Sequence, residues 1–182
     1  VGVRMRLTSV SSPGSTGAAG NGEVEDYVVQ FARPLLDYGD WSGATDAAST
    51  ANSNLRLGAT VDTEYTATKN ATATGDDITL TDDEDGVTPG SLTAGAPGSV
   101  TITTTNLTGA AAYLNVWIDY NNNGSFTDAG EQIATNTAIA TGSNNTTQTL
   151  NFTVPAAAVT GASVGLRTRL TSVTSPGATG TA

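Results

Sequence analysis

"VGVRMRLTSV", residues 1–10, alternates Val1, Val3, Met5 and Leu7 with Gly2, Arg4, Arg6 and Thr8. Period two of this kind specifies a strand with one apolar and one polar face, and here the polar face carries arginine. The run returns as "VGLRTRLTSV" at residues 164–173. Aligned without gaps, residues 1–19 and 164–182 agree at 14 of 19 positions, and the agreement continues past the strand through the loop "SPG". Two similar strands in one sheet do not normally share their loops as well. The offset of 163 residues is therefore taken as a repeat period, and in a chain of 182 residues it implies one complete unit plus an overlap. A tandem array is the expected parent.

The rest of the chain reads as further strands. "GEVEDYVVQF", 22–31, resumes the alternation after the breaker-rich "SSPGSTGAAGNG", so that residues 1–31 predict a hairpin with a long tip. "ARPLLDYGDW" ends it, because Pro34 cannot donate to a ladder. Residues 42–56 are weakly patterned, and "LGATVDTEYTAT", 57–68, is expected to hold one or two short strands. "GSVTITTTNLT" at 98–108, "AAYLNVWIDY" at 111–120, "TQTLNFTVP" at 147–155 and the returning arginine strand complete the set. Seven or more short strands without a substantial helix predict an all-β, antiparallel β-sandwich of immunoglobulin-like or jelly-roll-like kind.

Composition narrows the function. Seven basic residues stand against 17 acidic ones, a net charge of -10 that disfavours nucleic acid and anionic membrane as partners. No apolar run is long enough to suggest membrane insertion. Histidine and cysteine are both absent, which removes Ser-His-Asp and Cys-His catalysis, disulfides and ordinary zinc sites. A non-catalytic role is expected, and any bound metal should be a hard, oxygen-seeking cation.

"DYNNNGSFTDAGE", 119–131, is the sharpest candidate site. Asp119, Asn121, Asn123 and Gly124 match the opening of a calcium loop, in which alternate oxygen donors converge while glycine allows the turn. The twelfth position is Gly130, so Glu131 closes the shell from one place later, with Asp128 as a further donor and the Ser125 carbonyl as the backbone donor. Without metal, the same stretch is a polar Asn/Gly turn. A second, weaker cation site is expected where Asp76, Asp77, Asp82, Asp83, Glu84 and Asp85 crowd one loop, with Asp37 and Asp40 of "DYGD" as additional donors. Trp41 and Trp117 are candidates for either core positions or sugar-stacking platforms.

At "GEVEDY", 22–27, the chain resembles the GEVED domain family, whose members recur in large secreted and surface-anchored bacterial proteins, often in tandem. Other marks of that family stand in order: "DYGD" at 37–40, "LGATVDTE" at 57–64, "GDD" at 75–77, "DDEDGV" at 82–87, "YLNVWIDYNNNGSFTDAGEQI" at 113–133 and "LRTRLTSV" at 166–173. The segment after "DYGD" departs from the family pattern, lacking its proline and histidine. The resemblance implies a β-sandwich with structural Ca2+ and an extracellular, cell-surface or secreted location. In the family order the arginine strand precedes "GEVEDY", which ends a unit. Residues 1–33 are then the last strands of a preceding repeat, or donated strands, and residues 37–182 one repeat lacking its own final strand. Neighbouring copies of the repeat are the expected partners, joined by head-to-tail packing or strand exchange into a stalk or filament. The rival expectation is an adhesin module binding glycans or cell-surface matrix. Buried tryptophans favour the former and exposed ones the latter.

Overall fold

The structure, a computed structural model, describes residues 1–12, 14–32, 35–75, 83 and 85–182. Twelve strands and no helix are found among them, in two units, residues 1–34 and 35–182.

In the first unit β1 (Gly2–Thr8) and β2 (Gly22–Val28) pair antiparallel, with Val3 opposite Tyr27, Arg4 opposite Asp26 and Met5 opposite Glu25. The Val1 amino group donates to Val29 O at 3.1 Å, and Val29 N–H returns to Val1 O at 2.9 Å. Odd-numbered residues of β1 therefore direct their backbone groups to β2, and even-numbered ones direct theirs away. The alternation expected from sequence is present, but its apolar side chains Val3, Met5, Leu7, Val24 and Tyr27 are exposed. Two strands alone offer no second layer to cover them.

The second unit is built in layers. β7 (Pro97–Asn106) pairs with β10 (Ser143–Thr153) along one edge, while its other edge is shared by β5 (Leu55–Leu57) and β6 (Val87–Pro89). The second sheet runs β11-β8-β9, from Leu166–Thr171, Ala112–Ile118 and Gln132–Ile139. Between them lies the main core, with Val100 and Ile102 of β7 against Leu114 and Val116 of β8, Ile139 of β9 and Leu170 of β11. Each fully buried aliphatic side chain of this kind contributes about 1.5–3 kcal/mol, which makes this contact the dominant stabilising term of the unit. The antiparallel sandwich read from the alternation is the fold.

A third, small sheet adds to that expectation. β3 (Leu36–Tyr38), β4 (Ala47–Thr50) and β12 (Gly180–Thr181) form it in the order β12-β4-β3, with β12 parallel to β4. Its neighbourhood covers the outer face of β8, where Trp117 packs with Ala44, Phe126, Ala178 and Trp41. β8 is thus buried on both phases of its alternation. Asn115, on the polar phase, is fully buried because its side-chain oxygen accepts the Asn136 N–H at 2.9 Å, at a shift in the β8–β9 register.

β9 was not anticipated, since "QIATNTAI" alternates only weakly. The strands expected over 57–68 reduce to the end of β5 and one bridge at Glu64. Gly58 turns the chain there at φ +61°, packed so closely on Asp85 that a Cβ has no room. The Asp85 carboxylate accepts the Ala59 N–H at 3.0 Å, which takes that backbone group out of any ladder.

Candidate functional site

The loop after β8 gathers most of its predicted donors. Asp119 is fully buried, and its two carboxylate oxygens accept the N–H groups of Asn123 at 3.1 Å and Gly124 at 2.8 Å. Asn121 Oδ1 accepts Asn123 N–H at 3.0 Å, and Asn123 Oδ1 accepts Ser125 N–H at 2.8 Å. Such side-chain-to-backbone turns wind the chain around a common centre, and Asn122 and Gly124 take the positive φ this winding requires. Asp128 is held by the amide groups of Asn121 at 2.9 Å and Asn123 at 2.7 Å, which lower its carboxyl from the ordinary value. Glu131 is buried, with one oxygen accepting Asp128 N–H at 3.2 Å and Oε1 lacking any partner. Burial, and then the charges of Asp119 and Asp128, push the Glu131 carboxyl up. Ser125 is joined to the same turn through its hydroxyl and Thr127.

Calcium fits this donor set in one respect and depends on neutral oxygens in another. A buried carboxylate oxygen without a donor, in a loop carrying two further carboxylates, is what a hard cation would satisfy. Among the described residues, however, no group of three or more carboxylates is placed to hold a metal by itself. A bound ion would therefore rely on Asn121, Asn123 and the Ser125 carbonyl as well as on Asp119, Asp128 and Glu131.

Of the second expected site, Asp37, Asp40 and Asp83 all line one cleft. Asp37 lies on β3 and Asp40 is buried beyond it, accepting Gly75 N–H at 3.1 Å. Asp83 accepts Asp62 N–H at 2.9 Å, and Asp85 holds Ala59. Asp76, Asp77, Asp82 and Glu84 lie outside the described residues. Asp62 was missed by sequence reading, because a single Asp in "TVDTEY" carries no spacing signal.

The arginine strands reveal a repeated construction. Arg6 Nη1 donates to the carbonyls of Gly14 at 3.0 Å and Thr16 at 3.1 Å. Arg169 Nη1 donates to their counterparts one period later, Gly177 at 3.0 Å and Thr179 at 3.4 Å. Arg4 Nη1 reaches Ser15 O at 2.8 Å, and Arg167 Nη1 reaches Ala178 O at 2.7 Å. Even the Thr8 hydroxyl bond to Val10 O, 2.7 Å, recurs from Thr171 to Val173 O at 2.8 Å. The "SPG" loop is thus a carbonyl cage for two arginines, which explains why it repeats together with the strand. In the second unit the cage is buried: Arg169 Nη2 also reaches Ala48 O at 2.6 Å, and Arg167 stands 4.8 Å from the ring centre of Phe126. Burial pushes the Arg167 guanidinium down to about 10, with repulsion from Arg169 adding to the effect and Asp46 opposing it.

Trp117 is buried and Trp41 packs in the same cluster, 5.8 Å from Phe126 and tilted by 60°. Beside Trp41, along β11, β4 and β5, runs a cleft of about 700 Å³.

Fold and sites together define an all-β sandwich module with a polar, carboxylate-bearing loop at one end of its central strand and a caged arginine pair on its edge strand. Residues 113–182, which span β8 to β12, match the model of the GEVED domain family. The match covers two of the motifs quoted above, at 113–133 and 166–173. Neither a curated protein nor a solved structure matches the chain.

Proposed function

We propose that this chain is a non-catalytic structural repeat of a secreted bacterial surface protein, a calcium-stabilised module that joins neighbouring copies into a stalk or filament. The observation that carries this reading is the doubled arginine strand, which recurs after 163 residues with its carbonyl cage. Head-to-tail contact between identical units generates open filaments, and a strand exchanged between units would make such a contact specific. Calcium in the 119–131 loop stiffens each unit. At millimolar calcium and a dissociation constant of ~10⁻⁴ to 10⁻³ M it contributes on the order of 1 kcal/mol per site.

An adhesin reading needs aromatic side chains presented to a glycan. Trp117 is in the core, which weighs against it, while Trp41 is half-buried against Phe126 and lines the cleft. Electron microscopy of the concentrated chain, with calcium and with chelator, tests the proposal. Filaments with a density repeat of about one domain, softened by chelator, are expected. Dispersed particles under both conditions would refute it.

A further inference from the structure

β10 is an edge strand: it pairs with β7 and, among the described residues, with no other strand. Val154 N–H donates to Ala96 O at 3.0 Å, which continues the β7–β10 register by one pair and fixes its phase. Gln148, Leu150 and Phe152 therefore direct their backbone groups to β7, and Thr147, Thr149, Asn151 and Thr153 direct theirs outward. β7 agrees from its other side, where Thr103 N–H donates to Gly86 O at 2.8 Å.

The far edge of the same sheet is blunted in ways that keep sheets from pairing edge to edge. β5 and β6 are three residues long and β6 ends in Pro89, while the neighbouring β9 is broken by two register shifts against β8. β10 has none of these devices over Thr146–Thr153. Its pairing with β7 is unbroken there, it holds no proline and no charge, and its one irregularity lies at Ser143/Thr146, at one end. The whole run from Ile133 to Leu166 is uncharged in a chain of net charge -10, so two copies can meet along this edge without setting like charges opposite each other.

The strand is also its own complement. On its inner face Leu150 and Phe152 pack on the main core but are only partly buried, and on its outer face Thr147, Thr149, Asn151 and Thr153 are exposed. About a two-fold axis at Leu150, Thr147 falls opposite Thr153 of a second copy, and Thr149 opposite its Asn151. All four outward residues are then used, small polar side chains face each other, and the two Leu150 side chains meet beside the core. A register centred on Thr149 would instead set Thr153 against Asn145, in the irregular end of the strand.

We propose that β10 is a self-association edge, through which two copies of the chain pair antiparallel about a two-fold at Leu150 and join their β10-β7 sheets into one. The partner is a second copy because this edge offers a charged ligand nothing to bind and matches its own reverse on both faces. Burial of the exposed parts of Leu150 and Phe152 adds to the ladder bonds. The contact closes on itself, unlike the head-to-tail contact of the function proposed above, and stands independently of it.

The chain has no cysteine, so a disulfide reports the register without background. In the full chain carrying Thr147→Cys and Thr153→Cys, mild oxidation of concentrated protein is expected to give a dimer that reductant returns to single chains. Along one strand these positions lie about 20 Å apart, too far to link within a chain. Across the pair they face each other at about 5.5 Å between Cα atoms, which a disulfide spans. Thr147→Cys alone and Thr153→Cys alone should stay unlinked, since each meets its own counterpart out of register. Asn151→Asp, nearly isosteric and exposed, should lower the linked fraction several-fold by setting two carboxylates across the axis, with the melting temperature of the unlinked chain unchanged. Equal linkage in the single variants would overturn the proposal by showing contact without register. Absence of linkage at every concentration, with sedimentation of the parent showing single chains, would overturn self-association and leave the edge to a strand of another protein. Filaments without the 147–153 link would overturn this contact while leaving head-to-tail assembly standing.

Discussion

Asp119→Ala separates the loop's built-in bonds from the proposed calcium binding. The carboxylate is fully buried and accepts two backbone N–H groups, at 3.1 and 2.8 Å. Hydrogen bonds to a charged acceptor contribute about 1.5–3 kcal/mol each, and water recovers part of this at a loop. Loss of both should therefore cost about 3 kcal/mol in chelator. For a unit of this size that lowers the melting temperature by roughly 6–12 °C. In millimolar calcium the parent gains a further ~1 kcal/mol, a few degrees, and the variant gains nothing if Asp119 is a ligand. Scanning calorimetry of both chains in chelator and in calcium measures all four values. A variant that melts within about 2 °C of the parent in chelator would show that the winding of residues 119–125 does not depend on this carboxylate. A variant that keeps the calcium shift would remove Asp119 from the ligand set.

Glu131 would make calcium binding in the 119–131 loop acid-sensitive. Its folded pKa is raised by burial and by Asp119 and Asp128, so the stability it contributes is present below the ordinary glutamate value of about 4.3 and is lost as pH rises through the raised value. Calcium requires the ionised form, so calcium affinity should fall as pH drops through the same interval, and a calcium titration at descending pH that showed constant affinity would contradict this. Asp128 acts in the opposite sense: its lowered pKa supplies stability that is lost only as pH falls below the ordinary aspartate range. Gly165→Ala should destabilise by about 1–3 kcal/mol in denaturant unfolding, because its Cβ would overlap the Trp41 ring; an unchanged midpoint would mean that Trp41 is free to move. Arg169→Met should cost about 3 kcal/mol by leaving the carbonyls of Ala48, Gly177 and Thr179 without their charged donor, and Arg169→Lys should recover only part, since an ammonium cannot reproduce the planar fork. Full recovery with lysine in the same unfolding assay would contradict the cage geometry.

Much of the fold was legible because period two survives in the sequence wherever one sheet face is buried. β1, β8 and β11 fall within the alternating stretches, β7 and β10 overlap theirs but begin one and four residues earlier, and the 119–131 loop stands out by the spacing of its oxygens. Where alternation is weak, as in β9, or where a strand has three or four residues, as in β3 to β6, the signal is too short to separate from loop. Asn115 illustrates the limit: it sits on the polar phase of β8 and is fully buried, because a register shift on β9 supplies the N–H that its side chain requires.

The sequence by itself determined that the chain is made of antiparallel strands, that one arginine strand occurs twice with its loop, and that an oxygen-rich turn follows the central strand. Those are local properties, set by side-chain period and by residues within a few positions of each other. Only the tertiary structure decided that β8 is covered on both faces and that the loops after the two arginine strands serve as carbonyl cages. Hydrogen-bond satisfaction and layer order depend on groups distant in the chain, such as Thr45 and Ala178 for Arg167, and no local pattern encodes which of them will meet.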